Sequence, residues 1–176
     1  MPYEIIHFRE SDEILKKKRL VKDVQATLDY VDELLYGALY KRELTNIALE
    51  EMGWRESGTL NVLDGRRYQY KGFKKGVAIE GNFAAYEYIL EGLFRLQIGF
   101  DKGQIETGIL FLNGFRGEKS SYGTSRDLAA SEVEQLYPTI SMPISIALFD
   151  IGKPQLITDE EGTNGVSIPA DDQRND

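Results

Sequence analysis

Gly76-Val77-Ala78-Ile79-Glu80-Gly81-Asn82-Phe83 is an apolar run that carries one carboxylate and, two residues later, one amide. Its length and content suit a buried strand, and a strand alternates its side chains between two faces, so Glu80 and Asn82 point one way while Ile79 and Gly81 point the other. Two polar groups then converge on one side of a buried element. Burying such a group without a partner costs roughly 2–7 kcal/mol, depending on the reference state. Two readings follow from these residues: an edge glutamate facing water with Asn82 opening a turn, or a polar pair gathered for chemistry.

The flanking sequence assembles around this strand. Ser11 is placed to cap a helix that begins at Asp12, and Ile14, Leu15, Leu20, Val21, Val24, Leu28, Val31, Leu34 and Leu35 recur at helical spacing. This pattern predicts one long amphipathic helix to about Tyr36. Lys16, Lys17, Lys18 and Arg19 within it form either a solvated face or a DNA contact. A second helix is expected over residues 41–52, ended by Gly53, with Trp54 packed behind it. Residues 59–63 alternate as a strand, Asp64-Gly65 is a hairpin signal, and residues 66–70 return as its partner.

After the Glu80 strand, residues 84–98 read as a helix in which Glu91 and Arg95 make an i,i+4 surface pair. Residues 104–113 read as a buried strand ended by Asn113-Gly114. Ser125 or Asp127 starts a helix to Leu136, and residues 143–151 form a last apolar strand. Strands separated by helices predict an α/β fold, a mixed sheet flanked by helices on both faces.

At 176 residues the chain is one domain in size. Residues 1–154 carry the domain pattern, and residues 155–176 read as an acidic, flexible tail. The formal net charge is −8. After Pro154 the tail holds Asp159, Glu160, Glu161, Asp171, Asp172 and Asp176 against Arg174 alone, a net of −5 that leaves −3 on the body. There is no cysteine, and His7 is the one histidine. Disulfides and thiolate sites are excluded, zinc is not expected, and a metal here would be an oxygen-liganded hard cation such as Mg²⁺, Mn²⁺ or Ca²⁺. No organic cofactor is expected. Neither a signal peptide nor a run of membrane-spanning length is present, so a cytoplasmic protein without a membrane partner is expected.

Arg66-Arg67-Tyr68-Gln69-Tyr70-Lys71-Gly72-Phe73-Lys74-Lys75 is the densest cluster of basic and aromatic residues. Such a cluster can position a duplex through its phosphates even on an acidic protein, or it can protect a hairpin edge from aggregation. Arg66, Arg67, Lys71, Lys74 and Lys75 are therefore candidate DNA contacts. So are Arg116, Lys119 and Arg126 in a Gly- and Ser-rich loop that otherwise serves only as a surface connection.

The assembled pattern resembles the type II restriction endonucleases of the BglII, BstYI and BamHI kind, within the PD-(D/E)XK nuclease superfamily. The resemblance is carried by Tyr3-Glu4-Ile5-Ile6 before the long helix, Met52-Gly53-Trp54 after a helix, and Gly76 to Glu80 running into Gly81-Asn82-Phe83. It continues through Gly99-Phe100, Gly103-Gln104-Ile105-Glu106-Thr107-Gly108-Ile109-Leu110, and Pro143-Ile144-Ser145-Ile146-Ala147-Leu148. Together these span roughly residues 3–152.

The resemblance implies Mg²⁺-dependent hydrolysis of duplex DNA by a homodimer, the twofold suiting a palindromic site. It makes Glu80 a metal ligand and places Asn82 at the third motif position, where the family has Lys, Glu or Gln. Asn82 can orient water or phosphate there but cannot act as a base. The family's metal-binding Asp falls at position 71, which is Lys71 here. A lysine repels the cation that an aspartate would bind. Asp64 is the substitute candidate, or simply the turn residue of its hairpin. Besides the endonuclease, the sequence thus leaves open a nuclease-like fold that has lost its metal site and binds DNA or a protein, and an acidic interaction scaffold.

Overall fold

A computed structural model describes residues 3–83, 89–114 and 124–152. Five strands, β1 (Tyr3–Phe8), β2 (Gly72–Lys74), β3 (Val77–Asn82), β4 (Thr107–Asn113) and β5 (Ile144–Phe149), form one sheet in the order β1-β5-β4-β3-β2. The three central strands run parallel, and the two edge strands are antiparallel to their neighbours. Buried on both faces, the central strands are near-continuous apolar runs, as their sequences require.

Helices α1 (Ser11–Lys17), α2 (Val21–Leu35) and α3 (Lys41–Glu51) precede β2; α4 (Ile89–Asp101) lies between β3 and β4, and α5 (Arg126–Gln135) between β4 and β5. Each face of the sheet has its own core. Val77, Ile79, Ile109, Phe111, Ala147 and Phe149 pack with Leu15, Val24, Leu28, Val31, Leu49 and Trp54 on the face of α1 to α3. Ala78, Leu110, Leu112, Ile144, Ile146 and Leu148 pack with Leu93, Leu96, Ala129 and Val133 on the face of α4 and α5. The α/β mixed sheet with helices on both faces is the expected architecture.

The single long N-terminal helix is two. Arg19 N–H donates to Lys16 O and Leu20 N–H to Leu15 O, both at 3.0 Å, and Arg19 takes a left-handed φ of 57°. This is the helix-ending pattern that glycine usually serves. Arginine hides it from sequence, and the bend is stabilised by placing Leu20, 1% exposed, in the core. Nor does Ser11 cap α1. It is the first helical residue, wholly buried, and its hydroxyl donates to Ile144 O at 3.0 Å. That hydroxyl also lies 2.7 Å from Ser145 Oγ, which in turn lies 2.7 Å from His7 Nδ1. The three residues tie β1, α1 and β5 together.

The hairpin of residues 59–70 is reduced to one bridge, Asn61 to Gln69, with Val62 N–H donating to Tyr68 O at 2.8 Å and Tyr70 N–H to Leu60 O at 2.9 Å. Asp64-Gly65 does form a turn, with Gly65 at a φ of 66°. Only Leu60, Val62 and Tyr70 are buried there, with Thr59 and Leu63 half-buried and the rest exposed, too little to hold a longer ladder. Ser125 caps α5 by accepting from Leu128 N–H at 3.2 Å. The expected start of α4 at residues 84–88, the loop carrying Arg116 and Lys119, and the acidic tail lie outside the described residues. Among the described residues, no helix is long and apolar enough to cross a membrane.

Candidate functional site

β3 places Glu80 in the middle of the sheet, paired with Leu110 of β4. Gly72 pairs with Ile79 on the other side, and Lys71 N–H donates to Ile79 O at 2.9 Å, so one step further along the register Lys71 stands across from Glu80. Gly81 is dictated by the packing behind it: a Cβ there would lie 2.6 Å from both the Cβ and the carbonyl oxygen of Phe111. Gly92 plays the matching part in α4. A Cβ on it would meet Leu110 Cδ1 at 2.9 Å and Glu80 Cβ at 3.5 Å, so its absence lets the helix lie down on the Glu80 side chain.

Glu80 is consequently 2% exposed. Its Oε2 faces Arg95 Nη1 at 3.6 Å, while Arg95 Nη2 reaches Glu91 Oε2 at 3.4 Å. Its Oε1 is buried without a hydrogen-bond partner among the described residues. Burial pushes the carboxyl up to about 7, against the opposing pull of Arg95, Lys71 and the Gly81 amide, with Glu91 adding a smaller push upward. The same surroundings act in reverse on Lys71. Burial lowers its ammonium, Glu80 raises it, and Arg42, Arg55 and Arg95 lower it further. Tyr70, buried beside them and near Glu80, is pushed up to about 12, and its hydroxyl donates to Gln104 Oε1 at 3.1 Å.

The cluster therefore contains residues that sequence reading passed over. Arg55 follows Trp54 and donates from Nη1 to Lys71 O at 2.7 Å. Arg42 stands exposed near the start of α3. Arg95 read as a surface partner of Glu91, but its spacing of three from Gly92 was the available signal, because it puts both on the stripe of α4 that meets the sheet.

The other sequence candidates are dispersed. Asn82 shares the Glu80 face of β3 and is half-buried. Asp64 is exposed in its turn, with Arg66 and Arg67 exposed beside it. Lys74 is committed to packing: its ammonium donates to Asp23 Oδ2 at 2.7 Å and Met52 O at 2.8 Å and sits 4.7 Å from the Trp54 ring centroid. Lys75 is exposed, and its carbonyl accepts from Lys18 Nζ at 2.7 Å. Arg126 pairs with Glu4 at 2.6 Å on the surface.

Among the described residues, no three Asp, Glu, His or Cys side chains gather where they could hold a metal ion. Among the described residues, a divalent cation at Glu80 would have that one buried carboxylate and would face Lys71 and Arg95. Mg²⁺ needs oxygen donors and negative charge, so these residues do not fit it.

No family model matches the sequence, and no curated protein matches it either. Solved structures do. The restriction endonuclease BglII complexed with a DNA 16-mer superposes with a TM-score of 0.64 at 16% identity, over 85% of this chain and 77% of that one. Free BglII superposes with a TM-score of 0.56 at 17% identity, over 87% and 79%. The chain thus has a restriction-endonuclease-like fold.

Proposed function

We propose that this chain is a restriction-endonuclease-like protein that holds duplex DNA without cutting it by a divalent-metal route. The observation that carries the reading is Lys71 across the register from Glu80. In the nuclease pattern that position supplies a second carboxylate. Here the pair is one acid and one ammonium, with Arg95 added on the helix side, and that charge set favours an anion over a cation. Duplex DNA is the anion supported by the fold, since a structure of the same fold is complexed with DNA. A twofold dimer belongs to the same reading.

The competing reading, a metal-dependent endonuclease, is favoured by the retention of Glu80 itself at mid-strand. Incubation of a long unmethylated duplex in low salt with Mg²⁺ or Mn²⁺ separates the two. The expected result is intact DNA together with duplex binding that is equal with Mg²⁺ and with EDTA at matched ionic strength, and that weakens steeply with added salt. Discrete fragments that vanish in Glu80→Ala would establish the endonuclease instead.

A further inference from the structure

We infer that Arg42, Arg55, Lys71 and Arg95 form a binding site for a single phosphate group, so that cationic side chains take the place that a metal ion holds in a nuclease. The inference deepens the duplex-binding reading and rests on it only for the source of the phosphate. Four cations from four segments act on this place: Arg55 bonds the Lys71 carbonyl, Lys71 stands across the register from Glu80, Arg95 of α4 faces Glu80 at 3.6 Å, and Arg42 of α3 lies within electrostatic reach of Lys71. Among the described residues they face two carboxylates, Glu80 and Glu91, and Glu91 is largely in solvent. The formal balance of these described residues is +2 around the middle of β3, on a protein whose net charge is −8.

Two features point to a ligand. Lys71 is half-buried, and among the described residues its ammonium makes no hydrogen bond or close ion pair, only a longer-range attraction to Glu80, so its three donors can turn to a ligand. Arg55 is held by one bond from Nη1 to Lys71 O at 2.7 Å, which fixes the guanidinium and leaves its remaining N–H groups to turn toward an anion. Glu80 contributes in a second way. Its contact with Arg95 is long, 3.6 Å, so the guanidinium is not consumed by its carboxylate. A tetrahedral oxyanion with several acceptor oxygens suits such converging donors better than a planar carboxylate would.

The test uses the full chain and two ligands, a mixed-sequence 20-base-pair duplex in EDTA and inorganic phosphate. Lys71→Ala should weaken duplex binding on the order of tenfold and flatten the dependence of log affinity on log salt by about 0.9, the loss of one phosphate contact. Lys71→Arg should keep both. Phosphate should shift the amide resonances of Lys71, Glu80 and Arg95 in the wild type and not in Lys71→Ala. Should Lys71→Ala fail to fold, exposed Arg42→Ala carries the same test with a smaller loss. Duplex binding left intact by both substitutions would overturn the site while leaving the duplex reading standing. Phosphate binding at these residues without duplex binding would support the site and assign it to a small phosphorylated ligand. Binding of neither ligand would overturn both.

Discussion

Ser145 and Glu80 are both buried polar residues inside parallel strands of one sheet, and they face opposite sides of it. Ser145 is closed off: Ser11 and His7 each approach its hydroxyl at 2.7 Å, and Ser11 donates its own hydrogen bond to the Ile144 carbonyl. Glu80 is left open, with a 3.6 Å contact on one oxygen and no hydrogen-bond partner among the described residues on the other. The first arrangement stabilises a fold because every donor finds an acceptor. The second costs stability, since burial disfavours the charged carboxylate and its partners only partly compensate. Such a cost is expected where a site is kept ready for a ligand rather than for packing alone.

The largest expected effect comes from removing the charge at the open site. A carboxyl raised to about 7 from an ordinary value of 4.5 binds protons more tightly in the folded chain than in the unfolded one. Its stabilising contribution is complete below pH 4.5 and is lost as pH rises through 7. The shift corresponds to about 3 kcal/mol. Glu80→Gln should therefore raise the melting temperature at pH 8, by about 2–4 °C per kcal/mol for a chain of this size. The gap over wild type should open between pH 4.5 and 7 and stay constant above. A pH-independent gap, or a lower melting temperature, would mean that Arg95 and Lys71 fully compensate the charge and that the two clusters do not differ as described.

At the closed cluster the sign reverses. Ser145→Ala removes the hydroxyl that links His7 to Ser11 at 2.7 Å on each side, leaving Ser11 its bond to Ile144 O and only the longer 3.4 Å approach of His7 Nδ1. A loss of about 1–3 kcal/mol is expected, the range for a buried hydrogen-bonding group that loses its partner, read as a lower denaturant midpoint with an unchanged slope. Duplex binding measured below the transition should not change. If it falls as far as in Lys71→Ala, the separation between a packing face and a binding face does not hold.

The sheet was legible in the sequence because central parallel strands are long apolar runs, and residues 76–83, 107–113 and 144–149 leave little else for them to be. Glu80 was legible for the same reason, as one charge inside such a run. Its surroundings were harder to read. Lys71 was marked by its position relative to Glu80, but Arg42, Arg55 and Arg95 come together only through tertiary packing, and an i,i+4 spacing made Arg95 resemble an ordinary surface residue. Local backbone chemistry hid the break between α1 and α2, where Arg19 adopts a conformation normally marked by glycine. Ser11 misled in the opposite way. Its type suggests a cap, but its hydroxyl is drawn across to β5 by partners that are 133 and 134 residues away in sequence.

The smallest effect concerns the proton order in the Ser11, Ser145 and His7 chain. Ser11 donates to Ile144 O, so its hydrogen is not available for the 2.7 Å contact with Ser145. That contact then requires Ser145 to donate to Ser11, and the 2.7 Å contact with His7 requires Nδ1 to carry a hydrogen and donate to Ser145. Neutral His7 should accordingly be the Nδ1–H tautomer, with Nε2 as the bare nitrogen. Burial lowers the imidazole below its ordinary value of 6.5, with Asp12 pulling it up and Lys16 pushing it further down. A base whose folded pKa is depressed loses stability as pH falls below 6.5, a slope opposite to that of Glu80 over the same range. Nitrogen-15 shifts of the one histidine read both quantities together. An Nε2–H tautomer would break the chain at one link, and a titration midpoint above 6.5 would show that Asp12, rather than burial, governs the ring.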